Sequence, residues 1–319
     1  MDPLDFTGRA VVVTGGTRGI GAAIAAAFRA AGADVLICGR TPPTSSPVAL
    51  PGHRSAPSVS SSSAAASSGV EFFQADVRDP AQAAALIEAA IDRFGRVDVV
   101  INNAGGSPEV PAGEASPRLH AKIIELNLLA PLHVAQAANA VMRDQDTGGV
   151  ILMIGSVSGT RPSPGTAAYG AAKAGLHHLA TSLAAEWAPR VRVNTLVVGP
   201  VEASGSAGAG SAGAGSAGAG SAGAGSAGAG SAGAGSAVAP ARGGVHDDLG
   251  RRDGRAASTV ARTVPMGRAA TAGEVAGACL LLASPLAGYI SGASLAVHGG
   301  GEWPAYLADL RDTAYRAEK

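Results

Sequence analysis

Tyr169 and Lys173 lie four residues apart in a segment that reads as helix, so both side chains fall on one face. A cation beside a phenol lowers the phenol's pKa, and such a phenol can hand a proton to an alkoxide developing on a carbonyl oxygen. Reducing a ketone also requires a hydride, and a place for the dinucleotide that would carry it stands near the N-terminus. There, Thr14-Gly-Gly-Thr-Arg-Gly-Ile-Gly21 follows an apolar run and opens a helical pattern. Its glycines permit a tight turn and close backbone approach, and the helix N-terminus faces a pyrophosphate. Gly15 and Gly19 stand one residue further apart than in the common G-x-G-x-x-G, and Tyr-x-x-x-Lys recurs by chance in many helices. Neither motif decides alone.

The elements that must position these residues alternate between strand and helix patterns. Strands are expected at Ala10–Val13, Val35–Cys38, Val70–Gln74, Val97–Asn102, Gly149–Ile154, Val191–Val198 and Ser294–Val297. Helices are expected at Gly19–Ala31, Pro80–Phe94, Pro117–Met142, Thr166–Trp187 and Ala272–Leu282. This order predicts an α/β fold, a single Rossmann-type doubly wound parallel sheet of about seven strands with helices on both faces. Two stretches interrupt it. Residues 41–69 carry Pro-Pro, a serine run and alternating Ser/Ala, and read as a disordered insertion. Residues 204–238 hold SAGAG in register from Ser206 to Gly235, a low-complexity insertion whose methyls and hydroxyls cannot repay the entropy of ordering. It enters just after the sixth strand pattern, and Leu249, Val260, Val264 and Met266 beyond it are better material for a lid over a site. Residues 302–319 read as a C-terminal tail, so that residues 1–319 form one domain with two inflated loops.

Composition narrows the partners. Among 319 residues, Lys plus Arg and Asp plus Glu balance at 24 each, so no net positive field exists to attract nucleic acid or an anionic membrane. Two cysteines, Cys38 and Cys279, build no disulfide framework and stand at no metal-ligand spacing, which points to a reducing, cytoplasmic compartment without a metal site. The opening MDPLDF lacks the basic flank and cleavage site of an export signal. The longest charge-free stretch, Val275 to Val297, is broken by Ser284-Pro285, Gly288 and Ser291-Gly292 and reads as helix, break and strand, not as a membrane span.

In their order along the chain, Thr14–Gly21, Asp76-Val77, Asn102-Asn-Ala-Gly105 and Tyr169-x-x-x-Lys173 resemble the motif set of the classical short-chain dehydrogenase/reductase family. The resemblance spans nearly the whole chain apart from the two inserts. It implies an oxidoreductase interconverting a ketone and a secondary alcohol, acting on a small molecule. Tyr169 would be the general acid/base and Lys173 its activator, reaching also the nicotinamide ribose. Ser156, thirteen residues before Tyr169, would orient the oxygen, and Asn127 would hold a water in a proton relay. The cofactor would touch Gly15, Thr17, Arg18, Gly19, Ile20 and Gly21, then Asp76 and Val77 at the adenine, Asn103, Ala104 and Gly105, Tyr169 and Lys173, and finally Gly199 and Val201. Only three lysines and five asparagines occur in the chain, and most of them fall on these positions.

Strand two ends Cys38-Gly39-Arg40, where an NAD-selective member would carry an acid at Gly39. With Arg18 and Arg40 able to embrace a 2′-phosphate, NADP(H) is favoured over NAD(H). The chain departs from the family pattern at Val198, where a proline is expected, at Ala203 with Ser204, where a threonine is expected, and at His298, which replaces an acid and reads as structural. His177 and His178 read as packing or interface residues, and Cys38 as a small buried hydrophobe. The small-residue helix Thr166–Trp187 suits a homotetramer or homodimer contact. Two alternatives remain open: a 3-oxoacyl-carrier-protein reductase of the same family, and an NADP-sensing binding protein without chemistry.

Overall fold

Five consecutive buried residues, AVVVT, make Ala10–Thr14 (β1) the centre of a sheet covered on both faces. The computed structural model describes residues 2–43, 69–202 and 263–302. Residues 44–68 of the first insertion, the SAGAG tract, the lid positions Leu249 and Val260 and the tail after residue 302 lie outside the described residues. Around β1 stand Asp34–Gly39 (β2), Val70–Gln74 (β3), Val99–Asn102 (β4), Gly149–Ile154 (β5), Val191–Val198 (β6) and Ser294–Val297 (β7). All pair in parallel, in the order β3-β2-β1-β4-β5-β6-β7. The order reverses between β1 and β4, and ligands of such sheets bind outside the carboxyl ends of the strands at that point.

Helices cover both faces. Gly19–Ala30 (α1) and Ala272–Ala283 (α6) close one, burying Ile24, Phe28, Val275 and Cys279 against alternate residues of β1, β2, β4 and β5. Pro80–Phe94 (α2), Ala130–Met142 (α4) and Ala167–Trp187 (α5) close the other, with Leu86, Val134, Met142 and Leu176 at its centre. Local chemistry sets the ends. Asp79 caps α2 by accepting from the Ala81 amide, Pro80 opens it, and Gly95 ends it in the left-handed region at φ 73°. Thr271 and Glu274 form a reciprocal capping box on α6.

The expected continuous helix Pro117–Met142 needs correction. Pro117–Ile124 (α3) and α4 are separated by a five-residue π-helical turn, Glu125–Leu129. Its buried residue is Asn127, and the cause lies in the contacts of that side chain, described below. At the opposite, N-terminal edge of the sheet, Asp98 accepts from Arg9 (2.8 Å), Arg96 (2.6 and 2.7 Å) and the Ala10 amide (2.9 Å), pinning β4 to β1.

Candidate active site

The loop after β1 is shaped by what it excludes. A Cβ on Gly16 would sit 2.5 Å from Ile37 Cγ2, one on Gly15 3.0 Å from Ala104 Cα, and one on Gly21 would overlap the Gly15 carbonyl oxygen. Gly15 and Gly19 also adopt positive φ, 65° and 56°, so glycine is required there for conformation as well as space. Arg18 is the extended N-cap of α1 and makes no side-chain cap, and no acid lies in the first turn. The first amides of α1 therefore have no acidic competitor from their own helix, the arrangement that receives a phosphate.

A second loop locks onto the first. Thr14 Oγ1 accepts from the amides of Asn103 and Ala104, both at 3.0 Å, while Asn103 Nδ2 donates to the carbonyls of Thr14 (2.9 Å) and Gly15 (3.1 Å). Thr14 thus joins the two loops, a role that its place in the glycine motif does not reveal. Asn102 instead ties β4 to its neighbours, donating to Pro131 O at 3.2 Å and lying 3.4 Å from Met153 Sδ.

At the β2 end, a Cβ on Gly39 would come 3.2 Å from Thr17 Cγ2, so an acid there would press on the glycine loop. Arg18 and Arg40 are both exposed, and the backbone of Arg40 is held by Gln74 Nε2 at 2.9 Å from its carbonyl. Asp76, expected at the adenine, is tied to a near neighbour. Its carboxylate is held in a fork by Arg78, whose Nε lies 2.9 and 3.1 Å from the two oxygens and whose Nη2 closes the pair. Those bonds hold its carboxyl below the usual carboxylate range. The Val77 side chain packs into the core. The sequence signal for the fork is an arginine two residues after the aspartate.

Asn127 is fully buried, and its side chain makes three bonds. Nδ2 donates to Ile123 O and Gly106 O, and Oδ1 accepts from the Gly106 amide, all at 2.9 Å. Binding a loop on another element while also reaching back one turn explains the π turn at this residue. A Cβ on Gly105 would lie 2.8 Å from Asn127 Oδ1 and 3.4 Å from Lys173 Nζ, which brings these two residues to the same short stretch of backbone.

Ser156, Tyr169 and Lys173 meet beyond β5. Ser156 caps a short 3-10 turn, its Oγ accepting from the Ser158 amide at 3.1 Å, and its hydroxyl is near enough to the Tyr169 phenol to lower that group's pKa. Lys173 Nζ donates to Ile154 O at 2.8 Å and stands 5.6 Å from the centre of the Tyr169 ring. Burial pushes the phenol pKa up, against the Ser156 hydroxyl that lowers it, and burial lowers the Lys173 ammonium to about 8. His177, read from sequence as packing, accepts from the Ser156 amide through Nε2 at 3.3 Å.

Past β6, a Cβ on Gly199 would lie 2.8 Å from His298 Cβ, and Val201 pairs with Ala270. Val198 is buried, and Pro200 just beyond accepts from the Ala270 amide at 2.9 Å. Val264 is buried, with its Cγ1 2.7 Å from where a Cβ on Gly299 would stand, whereas Met266 is exposed. His298 Nδ1 is buried without a hydrogen-bond partner among the described residues. Among those residues no cluster of three His, Cys, Asp or Glu could hold a metal, and no helix is long and apolar enough to cross a membrane.

A doubly wound sheet with a glycine cradle at its switch point is the architecture of dinucleotide-binding proteins. Residues 9–212 match the family model for short chain dehydrogenase, and residues 243–302 match that for enoyl-(acyl carrier protein) reductase. The chain belongs to the short-chain dehydrogenase/reductase family, whose members are oxidoreductases that bind NAD(P). It is similar to the 3-oxoacyl-[acyl-carrier-protein] reductase FabG of Escherichia coli K12, 30% identical across 93% of this chain and 98% of the relative. It is also 30% identical to 3beta-hydroxysteroid dehydrogenase 1 of Eggerthella lenta, over 93% and 94% of the two chains. A solved short-chain dehydrogenase/reductase from Serratia marcescens superposes with a TM-score of 0.65 at 26% identity, covering 93% of this chain and 98% of that one.

Proposed function

We propose that this chain is an NADP(H)-dependent oxidoreductase interconverting a carbonyl compound and a secondary alcohol. The observation that carries the reading is the convergence of Ser156, Tyr169 and Lys173 at the end of β5, beside the Gly105–Asn127 contact. The glycine cradle fits a dinucleotide: the Cβ positions of Gly15, Gly16 and Gly21 are filled by neighbouring atoms, which packs the loop tightly on the sheet, while that of Gly19 is open at the start of α1. Gly15, Thr17, Gly19, Ile20, Gly21, Asn103, Ala104 and Gly105 would hold it, with Gly199 and Val201 at the nicotinamide end. Bound NADP(H) supplies the hydride.

The chain's own residues supply the rest. Tyr169 gives the proton to the forming alkoxide, or takes it from the alcohol, through its phenol oxygen. Ser156 orients the reacting oxygen by its hydroxyl. Lys173, as a cation, favours the phenolate and so eases proton transfer in both directions. Asn127 positions the Gly105–Gly106 backbone facing Lys173, where a relay water would sit. Gly39 in place of an acid, the press of Thr17 against that position and the two exposed arginines Arg18 and Arg40 support NADP(H) over NAD(H). Likeness to the reductase FabG makes 3-oxoacyl thioesters the first substrate class to assay, and the steroid dehydrogenase makes hydroxysteroids the second. The balanced charge and sparse cysteines support a cytoplasmic protein without nucleic-acid partners, and the small-residue face of α5 supports a homotetramer or homodimer.

Tyr169→Phe tests the assignment. The variant should bind NADPH as the wild type does and lose turnover by about two orders of magnitude or more, the scale of a positioned proton donor. Near-normal turnover would remove Tyr169 from the chemistry.

A further inference from the structure

His177 stands one helical turn beyond Lys173 on α5, under the chain that carries Ser156. A Cβ on Gly155 would collide with His177 Nε2, and one on Gly159 would lie 2.8 Å from its Cε1. Two glycines thus let the backbone on either side of Ser156 lie directly on the imidazole. The Ser156 amide donates to Nε2 at 3.3 Å, and the Ser156 hydroxyl lies near enough to lower the Tyr169 phenol pKa. Accepting from an amide requires Nε2 to be the unprotonated ring nitrogen.

We propose that His177 is a positioning residue, whose Nε2 fixes the Ser156 main chain and thereby the place of the Ser156 hydroxyl beside Tyr169. The inference rests on the roles given above to Ser156 and Tyr169. Its geometric part, the coupling of the ring to the phenol, can be measured without turnover. Facing the ring are the Lys173 ammonium on its own helix, Gly155 and Gly159 from the segment after β5, and Thr195 of β6, whose Cγ2 lies 2.8 Å from the same Gly155 Cβ position. Of these only Lys173 titrates. Burial, and then the Lys173 charge, lower the imidazole pKa below its usual 6.5, which keeps Nε2 free to accept at neutral pH.

The test compares His177→Gln, whose amide oxygen can replace the acceptor, with His177→Leu, which cannot accept. His177→Ala repeats the second comparison should the leucine variant not fold. Tyrosinate absorbance is titrated in the full-length chain, and subtraction of the same protein carrying Tyr169→Phe isolates Tyr169 among four tyrosines. Loss of the acceptor should raise the Tyr169 pKa by about half a unit to one unit, because the Ser156 hydroxyl lowers it, while glutamine holds it near the wild-type value. In parallel, NADPH oxidation with acetoacetyl-coenzyme A as probe should lose roughly tenfold in kcat for the leucine variant, with glutamine restoring most of it and KM for NADPH unmoved. The wild type should lose kcat below pH 6.5 in a limb that the glutamine variant lacks. Equal Tyr169 titrations in the glutamine, leucine and wild-type proteins, or equal shifts in both variants, would overturn the proposal and leave His177 as packing. Failure of the parent reading would show separately, as turnover surviving Tyr169→Phe.

Discussion

Replacing Lys173 with methionine removes a charge that the fold buries at a cost. The residue is 3% exposed, its ammonium donates to Ile154 O at 2.8 Å, and burial lowers its pKa from 10.5 to about 8. A base with a folded pKa below its unfolded one binds fewer protons folded than unfolded across that interval. The penalty is therefore fully present below about pH 8 and lifts as pH rises toward 10.5, so this group makes stability climb with pH. A shift of roughly two and a half units, at about 1.4 kcal/mol each, amounts to about 3.5 kcal/mol. Methionine escapes that penalty but forfeits the charge-assisted bond to Ile154 O, worth about 1.5–3 kcal/mol. The variant should then be more stable than the wild type by roughly 0.5–2 kcal/mol at pH 7, and this advantage should vanish or reverse by pH 10. Urea unfolding of both proteins at several pH values between 7 and 10 measures the difference, and taking the difference cancels the titrating groups that do not feel the Lys173 charge. A gap that stays flat across the range would mean that Lys173 keeps an ordinary pKa, and the reasoning would fail. Turnover should be lost in the same variant, a gain in stability made at the expense of chemistry.

Arg40→Asp should weaken NADPH binding by about tenfold or more and narrow or reverse the preference over NADH, by loss of a charge-assisted bond to the 2′-phosphate; fluorescence titration with both dinucleotides checks it, and an unchanged ratio would contradict it. Gly21→Ala should cost about 1–3 kcal/mol of overpacking and cofactor affinity with it, since the new methyl overlaps the Gly15 carbonyl oxygen; an alanine variant with wild-type melting temperature and affinity would show that the loop can yield. Asp98→Ala leaves two arginines and the Ala10 amide without their acceptor and should destabilise by about 2–4 kcal/mol while kcat holds, because the group lies at the strand ends remote from the site.

The elements legible in the sequence are those with punctuation at both ends. The helix Pro80–Phe94 is bounded by Asp79 and Gly95, and the strand Gly149–Ile154 follows the turn at Gly148, so their limits agree residue for residue. The break in Pro117–Met142 was not legible, because it depends on Asn127 binding Gly106, a loop residue 21 positions away, and apolar periodicity carries no trace of such a bond. The Asp76–Arg78 fork is a contact two residues apart, and opposite charges at that spacing are visible in the sequence. His177 was hidden for a different reason: its role depends on the absence of side chains at Gly155 and Gly159, which only the packed structure reveals as an approach of backbone to ring.

The π turn also fits one more residue into the helix without turning it. Bonds from i to i+5 carry one more residue per turn than the i to i+4 bonds of an α-helix, so Glu125–Leu129 spreads five residues over nearly the arc of four. Deleting one of them to restore plain α-helix would leave α3 and α4 close to their present phase, with the buried row of Ala130, Val134, Ala135, Ala138 and Met142 still on the core. What would go is the bulge that carries Asn127, and with it the hold on Gly106. In aligning distant relatives, a gap of one residue inside these five describes the same wall without that hold, whereas one in the loop 107–115 shortens a surface connection.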